Sequence, residues 1–274
     1  MSQRNILLLV NSSRAQAEEA SDLVISILEK AKINVYRTID SQLPELELVL
    51  VLGGDGTILR GAEYAVAHNV ALLGINLGHV GFMAEVEEFT NENVAKAVIE
   101  KNYVLDRRML LSFEVKRGSS IIERGWALNE ISVERKSTTM LELFVQIDDR
   151  PLSRWGCDGI ICATPTGSTA YAFSAGGPVL WPEVQAMVLL PIAAHALFAK
   201  PMVIAPSSTI GIAIESSDAS LSADALRKIE LHKDDEVSIT KNDIQVTLAH
   251  LKSTIFTDRL VAKFKLPIEG WRGE

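Results

Sequence analysis

Residues 48–52 read LVLVL, an unbroken apolar run that ends in the turn GGDG before a helical pattern begins. A half-buried strand would alternate apolar with polar, so a strand apolar throughout is covered on both faces, as in a parallel sheet layered between helices. The flanking segments agree. NILLLV (5–10) has a buried-strand pattern, AEEASDLVISILEKA (17–31) has helical spacing with Leu23, Ile27 and Ala31 on one stripe, and INVYRTI (33–39) is a second strand. After LELVLVL (46–52) come the helix TILRGAEYAVAHN (57–69), the strand ALLGIN (71–76) and the helix TNENVAKAVIEKN (90–102), capped by Thr90 or Asn91. Residues 1–105 are therefore expected to form a Rossmann-like α/β domain with a parallel sheet.

Beyond residue 105 the texture changes. MLLSFEVKRG (109–118), SIIERGWALNEISVER (120–135), TTMLELFVQIDD (138–149), GIICATPT (159–166), MVIAPSSTIGIAI (202–214), KIELHKDDEVSITK (228–241) and IQVTLAHL (244–251) read as strands joined by short polar turns. Helix is needed only near Thr169. The expected architecture is a two-domain chain, α/β followed by all-β. Residues 106–255 form a β-rich, sandwich-like domain, and 256–274 return to pack on the first.

Composition narrows the functions. A net charge of -8 over 274 residues lacks the basic footprint of a nucleic-acid binder. The longest apolar region, MVLLPIAAHALFA (187–199), is broken by Pro191 and His195 and falls short of a membrane span. MSQRNILLLVNSS is too briefly apolar for a signal sequence. Two cysteines, Cys157 and Cys162, fit a reduced setting rather than a disulfide framework. A cytoplasmic protein with neither nucleic-acid nor membrane partner is expected.

The GGDG turn holds Asp55 at a strand's carboxyl end and a helix's amino end, where open α/β sheets place ligands. It is neither the dinucleotide fingerprint G-x-G-x-x-G nor a Walker A loop. Two readings stay open. Asp55 caps a helix beginning near Thr57, or its ionised carboxylate accepts a hydroxyl proton or holds a phosphate-bound metal. A second glycine-rich turn, GINLGHVGF (74–82), lets the backbone approach the same ligand at Gly78 and Gly81, with His79 between them. Arg14, Arg107 and Arg108 are candidate cations for a phosphate, unranked by the sequence.

CDGIICATPTGSTAYAFSAGGP (157–178) is the densest cluster. Gly167, Ser168 and Thr169 form an anion- or ribose-binding turn before a helical run, and Tyr171 can stack on a planar ring while its hydroxyl makes a hydrogen bond. Capping by Thr166, Ser168 and Thr169 is the simpler alternative. Asn129 and Glu130 add a polar pair suited to ribose hydroxyls or a base edge, with a plain turn as the alternative. Neither a nucleophile elbow nor HExxH is present, so hydrolytic and zinc chemistry find no motif.

Taken together and in order, LGGDGTILRGA (52–62), GINLGHVGF (74–82), LNE (128–130) and DGIICATPTGSTAY (158–171) resemble the NAD kinase family over almost the whole chain. The closing FTDRLVAKFKLPIEGWRG (256–273) resembles its actinobacterial members. The resemblance implies NAD bound between the two domains and between subunits of a homo-oligomer, dimer or tetramer. It implies that Asp55 acts at the 2′-hydroxyl of the adenosine ribose, as base or orienting group, and that Gly53, Gly54 and Gly56, beside Thr57, form the donor phosphate loop. Asn129, with Glu130, falls on the adenosine-binding pair, Asp158 on a substrate ligand, and Thr166, Ser168, Thr169, Ala170 and Tyr171 on the dinucleotide pocket. ATP with Mg²⁺ or another divalent cation is the implied donor, inorganic polyphosphate a second one; the metal ligands stay unassigned. One departure stands out: Asp224-Ala225 replaces the usual Asp-Gly, with Asp224 still a pocket candidate. A lipid or sugar kinase would share GGDG without reason to carry TPTGSTAY, and a non-catalytic NAD sensor would not need Asp55.

Overall fold

The computed structural model describes residues 3–11, 15–37, 43–76, 83, 90–216, 218–252 and 255–268. Gly78, His79, Gly81 and Arg14 lie outside them. The chain divides into two compact units, Met1–Arg107 with Val246–Glu274, and Arg108–Gln245.

The first unit contains β1 (Arg4–Val10), α1 (Ala15–Lys30), β2 (Ile33–Tyr36), β3 (Leu48–Leu52), α2 (Asp55–His68), β4 (Ala71–Ile75) and α3 (Asn91–Glu100). Its strands are parallel in the order β2-β1-β3-β4, and all five residues of β3 are buried, as its apolar run requires. The chain leaves β1 for β2 on one side and then returns to place β3 on the other. That reversal is a topological switch, and the crevice outside the carboxyl ends of β1 and β3 is where such sheets bind ligands. Thr90 caps α3, its Oγ1 accepting from Asn93 N at 3.3 Å. The stripe expected on α1 is displaced: Leu23 is exposed, and Ala17, Ala20, Val24 and Leu28 are the buried set. The reason is rotational. Both stripes are apolar at helical spacing, and packing against the sheet selects between them.

The remaining elements are β5 (Val104–Arg117), β6 (Ser120–Ala127), β7 (Glu130–Arg135), β8 (Leu141–Ile147), β9 (Arg150–Cys157), β10 (Gly159–Ala163), a 3₁₀ turn (Gly167–Thr169), α4 (Tyr171–Ser174), β11 (Met187–Ile192), β12 (Met202–Ile204), β13 (Ile210–Ile214), β14 (Ala219–Ala223), β15 (Arg227–Leu231), β16 (Asp235–His250) and α5 (Phe256–Phe264). In the second unit an antiparallel sheet runs β12-β11-β10-β7-β14-β15. Its inward residues, among them Ile131, Val133, Ile160, Cys162 and Leu221, pack in one core with Leu111, Phe113, Leu143, Val145, Trp155 and Ile212 from β5, β8, β9 and β13.

Several expected strands change. The segment 120–135 is broken at Leu128–Asn129 into β6 and β7, because the Asp224 carboxylate takes the local N–H groups out of any ladder. The segments 228–241 and 244–251 are redrawn as β15 and a sixteen-residue β16 that runs straight through Lys241–Asp243. Its early residues pair with β13, while Leu248 and Ala249 lie parallel to β4.

The departure at Ala225 has a conformational meaning. Asp224 and Ala225 both have positive φ, 54° and 55°, and Leu226 N donates to Ala223 O at 3.0 Å, which makes the β14–β15 connection a type I′ turn. The left-handed region is open to glycine and strained for alanine. Ala225→Gly is expected to raise unfolding free energy by up to about 1 kcal/mol. A denaturant melt showing a loss instead would mean that the Ala225 methyl makes a contact worth more than the strain.

Candidate active site

In the first unit the site grows from strand ends. Asn11 N donates to Leu52 O at 3.0 Å and Gly53 N to Ile75 O at 2.9 Å, so the ends of β1, β3 and β4 are held level. A Cβ on Gly53 would stand 2.7 Å from Thr57 Oγ1, so the strand turns into α2 only because residue 53 has none. Gly54 is the N-cap, with no side-chain cap bond, and Asp55 is the first helical residue. Asp55 is therefore not the cap that the sequence left open. The half-buried Asp55 carboxylate sits at the amino end of a fourteen-residue helix, where the outermost N–H groups have no partner within the helix and the dipole favours negative charge. Asn76, directly after β4, lies nearest to Gly54, its Nδ2 4.0 Å from where a Cβ would be. Asn11 and Asn76 were not singled out from sequence, although each is a polar residue immediately after a parallel strand, which was the available signal.

In the second unit the polar residues share one face of the antiparallel sheet. Alternation sends Ile131 and Val133 of β7 and Leu221 of β14 into the core, so Glu130, Ser132, Glu134, Ser220 and Ser222 face outward. With Tyr171, Arg135, Ala225 and Lys228 they line a cleft of about 400 Å³. Next to it the same face is apolar: Ile161, Ala163, Val188 and Leu190 are covered by Ala172 of α4.

The TPTGSTAY turn is braced from within. Thr164 Oγ1 donates to Leu128 O at 2.6 Å and accepts from Gly167 N at 3.0 Å. A Cβ on Gly167 would lie 2.0 Å from Asn129 O, so the turn and the Asn129 segment touch backbone to backbone. Ser168 is wholly buried, its Oγ donating to Pro165 O at 2.7 Å and accepting from Leu180 N at 2.9 Å. Thr169 Oγ1 donates to Thr166 O at 3.2 Å, and Thr166 Oγ1 accepts from the buried Arg108 at 3.4 Å. Thr166 is the N-cap of the 3₁₀ turn but makes no side-chain cap bond; Ala170 follows the turn, its N bonded to Gly167 O at 2.9 Å.

Asp224 acts on the same segment. It is almost completely buried, and its carboxylate accepts from Leu128 N and Asn129 N at 2.7 Å each and from Glu130 N at 3.3 Å. It fixes the Asn129–Glu130 pair rather than facing the cleft. Asp158 stands apart from the turn, at the start of β10, paired with Arg135 at 2.9 Å; Thr164–Tyr171 follow the other end of that strand, roughly 16 Å away.

Glu130 is the electrostatic outlier. Burial, then the neighbouring Asp224 charge, push its carboxyl up from 4.5 to about 7 against the pull of the Tyr171 main-chain N–H. Its Oε2 is buried with no hydrogen-bond partner among the described residues, which suits a ligand hydroxyl. Because the folded-state value is raised, this group favours folding below about 4.5 and progressively loses that contribution as pH rises through 7, a total of about 3 kcal/mol. Glu130→Gln is expected to gain stability over the wild type at pH 8 and to converge with it near pH 4.5. A stability difference that stays flat between those pH values would contradict the buried, raised carboxyl.

An α/β unit with a glycine–acid turn at its switch point, joined to a β-rich unit with a hydroxyl- and carboxylate-lined cleft, defines a nucleotide-binding phosphotransferase. Residues 8–103 match the ATP-NAD kinase N-terminal domain and residues 128–251 the ATP-NAD kinase C-terminal domain. The chain belongs to the NAD kinase family. It is 43% identical to "NAD kinase 2" of Streptomyces avermitilis over 98% of this chain and 97% of that protein, and 48% identical to the NAD kinase of Mycobacterium tuberculosis over 83% and 75%. The likeness to actinobacterial members expected from the closing segment is thus met. Among solved structures it is similar to yeast NADH kinase complexed with NADH (TM-score 0.85, 25% identity, 98% of this chain and 89% of that one). It is also similar to an Archaeoglobus fulgidus NAD kinase in complex with ATP (TM-score 0.74, 28% identity, 96% and 98%).

Proposed function

We infer that the protein is an NAD kinase: it transfers the terminal phosphoryl group of ATP to the 2′-hydroxyl of the adenosine ribose of NAD, giving NADP. The observation that carries this is the match of both family domains, in order, to a chain whose acid-bearing turn occupies the switch point of its parallel sheet.

The roles of individual residues are our proposal. Asp55 orients the acceptor hydroxyl and takes its proton late in a loose transition state, where orientation matters more than early proton removal. Gly54 and Gly56 bring main-chain N–H groups to the donor phosphates, while Gly53, whose own N–H is bonded to Ile75 O, and Thr57, bonded to Gly54 O, shape the turn. Asn129, Glu130, Thr166, Thr169, Ala170 and Tyr171 hold the dinucleotide, with Asp158 as a further ligand. Ser168 and Asp224 contribute by holding the turn and the Asn129–Glu130 segment in place, as their buried hydrogen bonds support.

Among the described residues no three His, Cys, Asp or Glu side chains converge on a metal-sized site. Asp55, the acid of the turn, would be the protein's ligand to Mg²⁺, which commonly takes one or two carboxylates together with substrate phosphates. Such an ion would offset phosphate charge. Polyphosphate as a second donor, a homo-oligomeric assembly and a cytoplasmic setting complete the proposal; the last is supported by Cys157 and Cys162, free thiols buried in the core. No helix among the described residues is long and apolar enough to cross a membrane.

The test is NADP formation by the purified protein given NAD and Mg²⁺ with ATP or with polyphosphate. NADP from ATP supports the reading. No NADP from either donor, in protein that binds NAD, would replace it with a sensor; neither activity nor binding would point to a lipid or sugar acceptor.

A further inference from the structure

Tyr171 is held at both of its polar ends by the same strand. Its main-chain N–H donates to the Glu130 carboxylate, and its phenol hydroxyl donates to Glu134 Oε2 at 3.1 Å. The second oxygen of Glu134, Oε1, accepts from Ser132 Oγ at 2.7 Å. Glu130, Ser132 and Glu134 are alternate residues of β7 and so share its outward face. All three line the cleft together with Tyr171. The Glu134 stem crosses Gly159 of the paired strand β10, where a Cβ would stand 3.0 Å from Glu134 Cγ, so no side chain there competes for its place.

The ring needs this support. Tyr171 opens a helix of four residues and is 37% exposed, so packing fixes its rotamer only in part. An aromatic wall that is ordered before the ligand arrives spares the ordering cost at binding.

We propose that Glu134 is a positioning residue for NAD: with Ser132 behind it, it holds the Tyr171 hydroxyl and so keeps the ring as a preformed wall against which a planar ring of the dinucleotide packs. The proposal rests on the NAD kinase reading above. Glu134 bonds to Tyr171 and Ser132, so its expected effect belongs to NAD affinity rather than to ATP use or the chemical step.

The experiment compares wild type with Glu134→Ala, Glu134→Gln, Tyr171→Phe and the Glu134→Ala/Tyr171→Phe double variant, measuring kcat and KM for each substrate. Glu134→Ala is expected to raise KM for NAD about tenfold, with KM for ATP and kcat within about twofold. Tyr171→Phe should give a similar rise, and the double variant no more than either single one. Glu134→Gln, whose amide oxygen still accepts from the phenol, should stay near wild type. An unmoved KM for NAD in Glu134→Ala, or single effects that multiply in the double variant, would overturn the proposal.

A second measurement is independent of catalysis. Burial, then the Glu134 carboxylate, raise the Tyr171 phenol above its ordinary value, so in protein labelled on the tyrosine rings its NMR-detected ionisation should move down in Glu134→Ala. A titration that does not move also overturns it. Should the wild type form no NADP while this titration moves as expected, the NAD kinase reading fails and the clamp on Tyr171 stands.

Discussion

Asp55→Asn is expected to fold normally and to form NADP about a hundredfold more slowly than the wild type, or worse. The substitution keeps the size of the side chain and removes its charge and its capacity to take a proton. The helix beneath it tolerates the change. Gly54 is the N-cap and makes no side-chain cap bond, so what α2 loses is one favourable charge near its amino end, about 0.3–1 kcal/mol. A thermal melt through the assay temperature separates a fall in rate from any loss of fold. The measurement is kcat at saturating NAD and ATP beside a thermal melt and a direct NAD titration. Retained NAD binding with lost turnover places Asp55 in the chemistry; turnover within threefold of wild type in folded protein would leave it only the role of a helix-end charge.

Asp224→Ala should fail differently, losing stability and NAD use together. Three main-chain N–H groups, those of Leu128, Asn129 and Glu130, converge on its buried carboxylate. Without it they are left in a buried segment with no acceptor, and each unsatisfied group costs about 1–3 kcal/mol, partly offset because a costly buried charge is also removed. A net loss of about 3 kcal/mol is expected in chemical denaturation. The Asn129–Glu130 pair loses its geometry, so kcat/KM for NAD should drop about a hundredfold even where the protein is folded. The Glu130 carboxyl, relieved of its neighbour's charge, should titrate lower than in the wild type. Stability within 1 kcal/mol of wild type and an unaltered KM for NAD would show that the segment holds itself.

The two expectations differ in how they reach back to the sequence. The placement of Asp55 was legible because everything that fixes it is local: an apolar strand, a glycine at 53 where a side chain would collide, and a helix starting within three residues. Tyr171 was legible as a ring able to stack and hydrogen-bond, the Asn129–Glu130 pair as polar groups in apolar surroundings, and TPTGSTAY as a turn. Asp224 was read as a pocket residue, since an isolated acid beside a turn looks alike whether it faces a ligand or a backbone. Its partners lie about 95 residues earlier in the chain. The strands β9 and β14 were not picked out, because RPLSRWGC and ASLSA carry weak alternation and their pairing partners supply most of what makes them strands.

By itself the sequence determined the local conformations and the kinds of chemistry available: a two-sided buried strand, a helix start carrying an acid, a hydroxyl-rich turn, and an Asp-Ala pair in place of Asp-Gly. Periodicity and backbone sterics act over a few residues, so they can be read without a fold. Tertiary structure alone decided which stripe of α1 is buried, that β16 runs unbroken through Lys241–Asp243, that Asp224 serves the backbone, and that Glu134 and Glu130 grip the two ends of Tyr171. Each of these depends on which distant segments meet, and on burial that raises or satisfies a charge only once they have met.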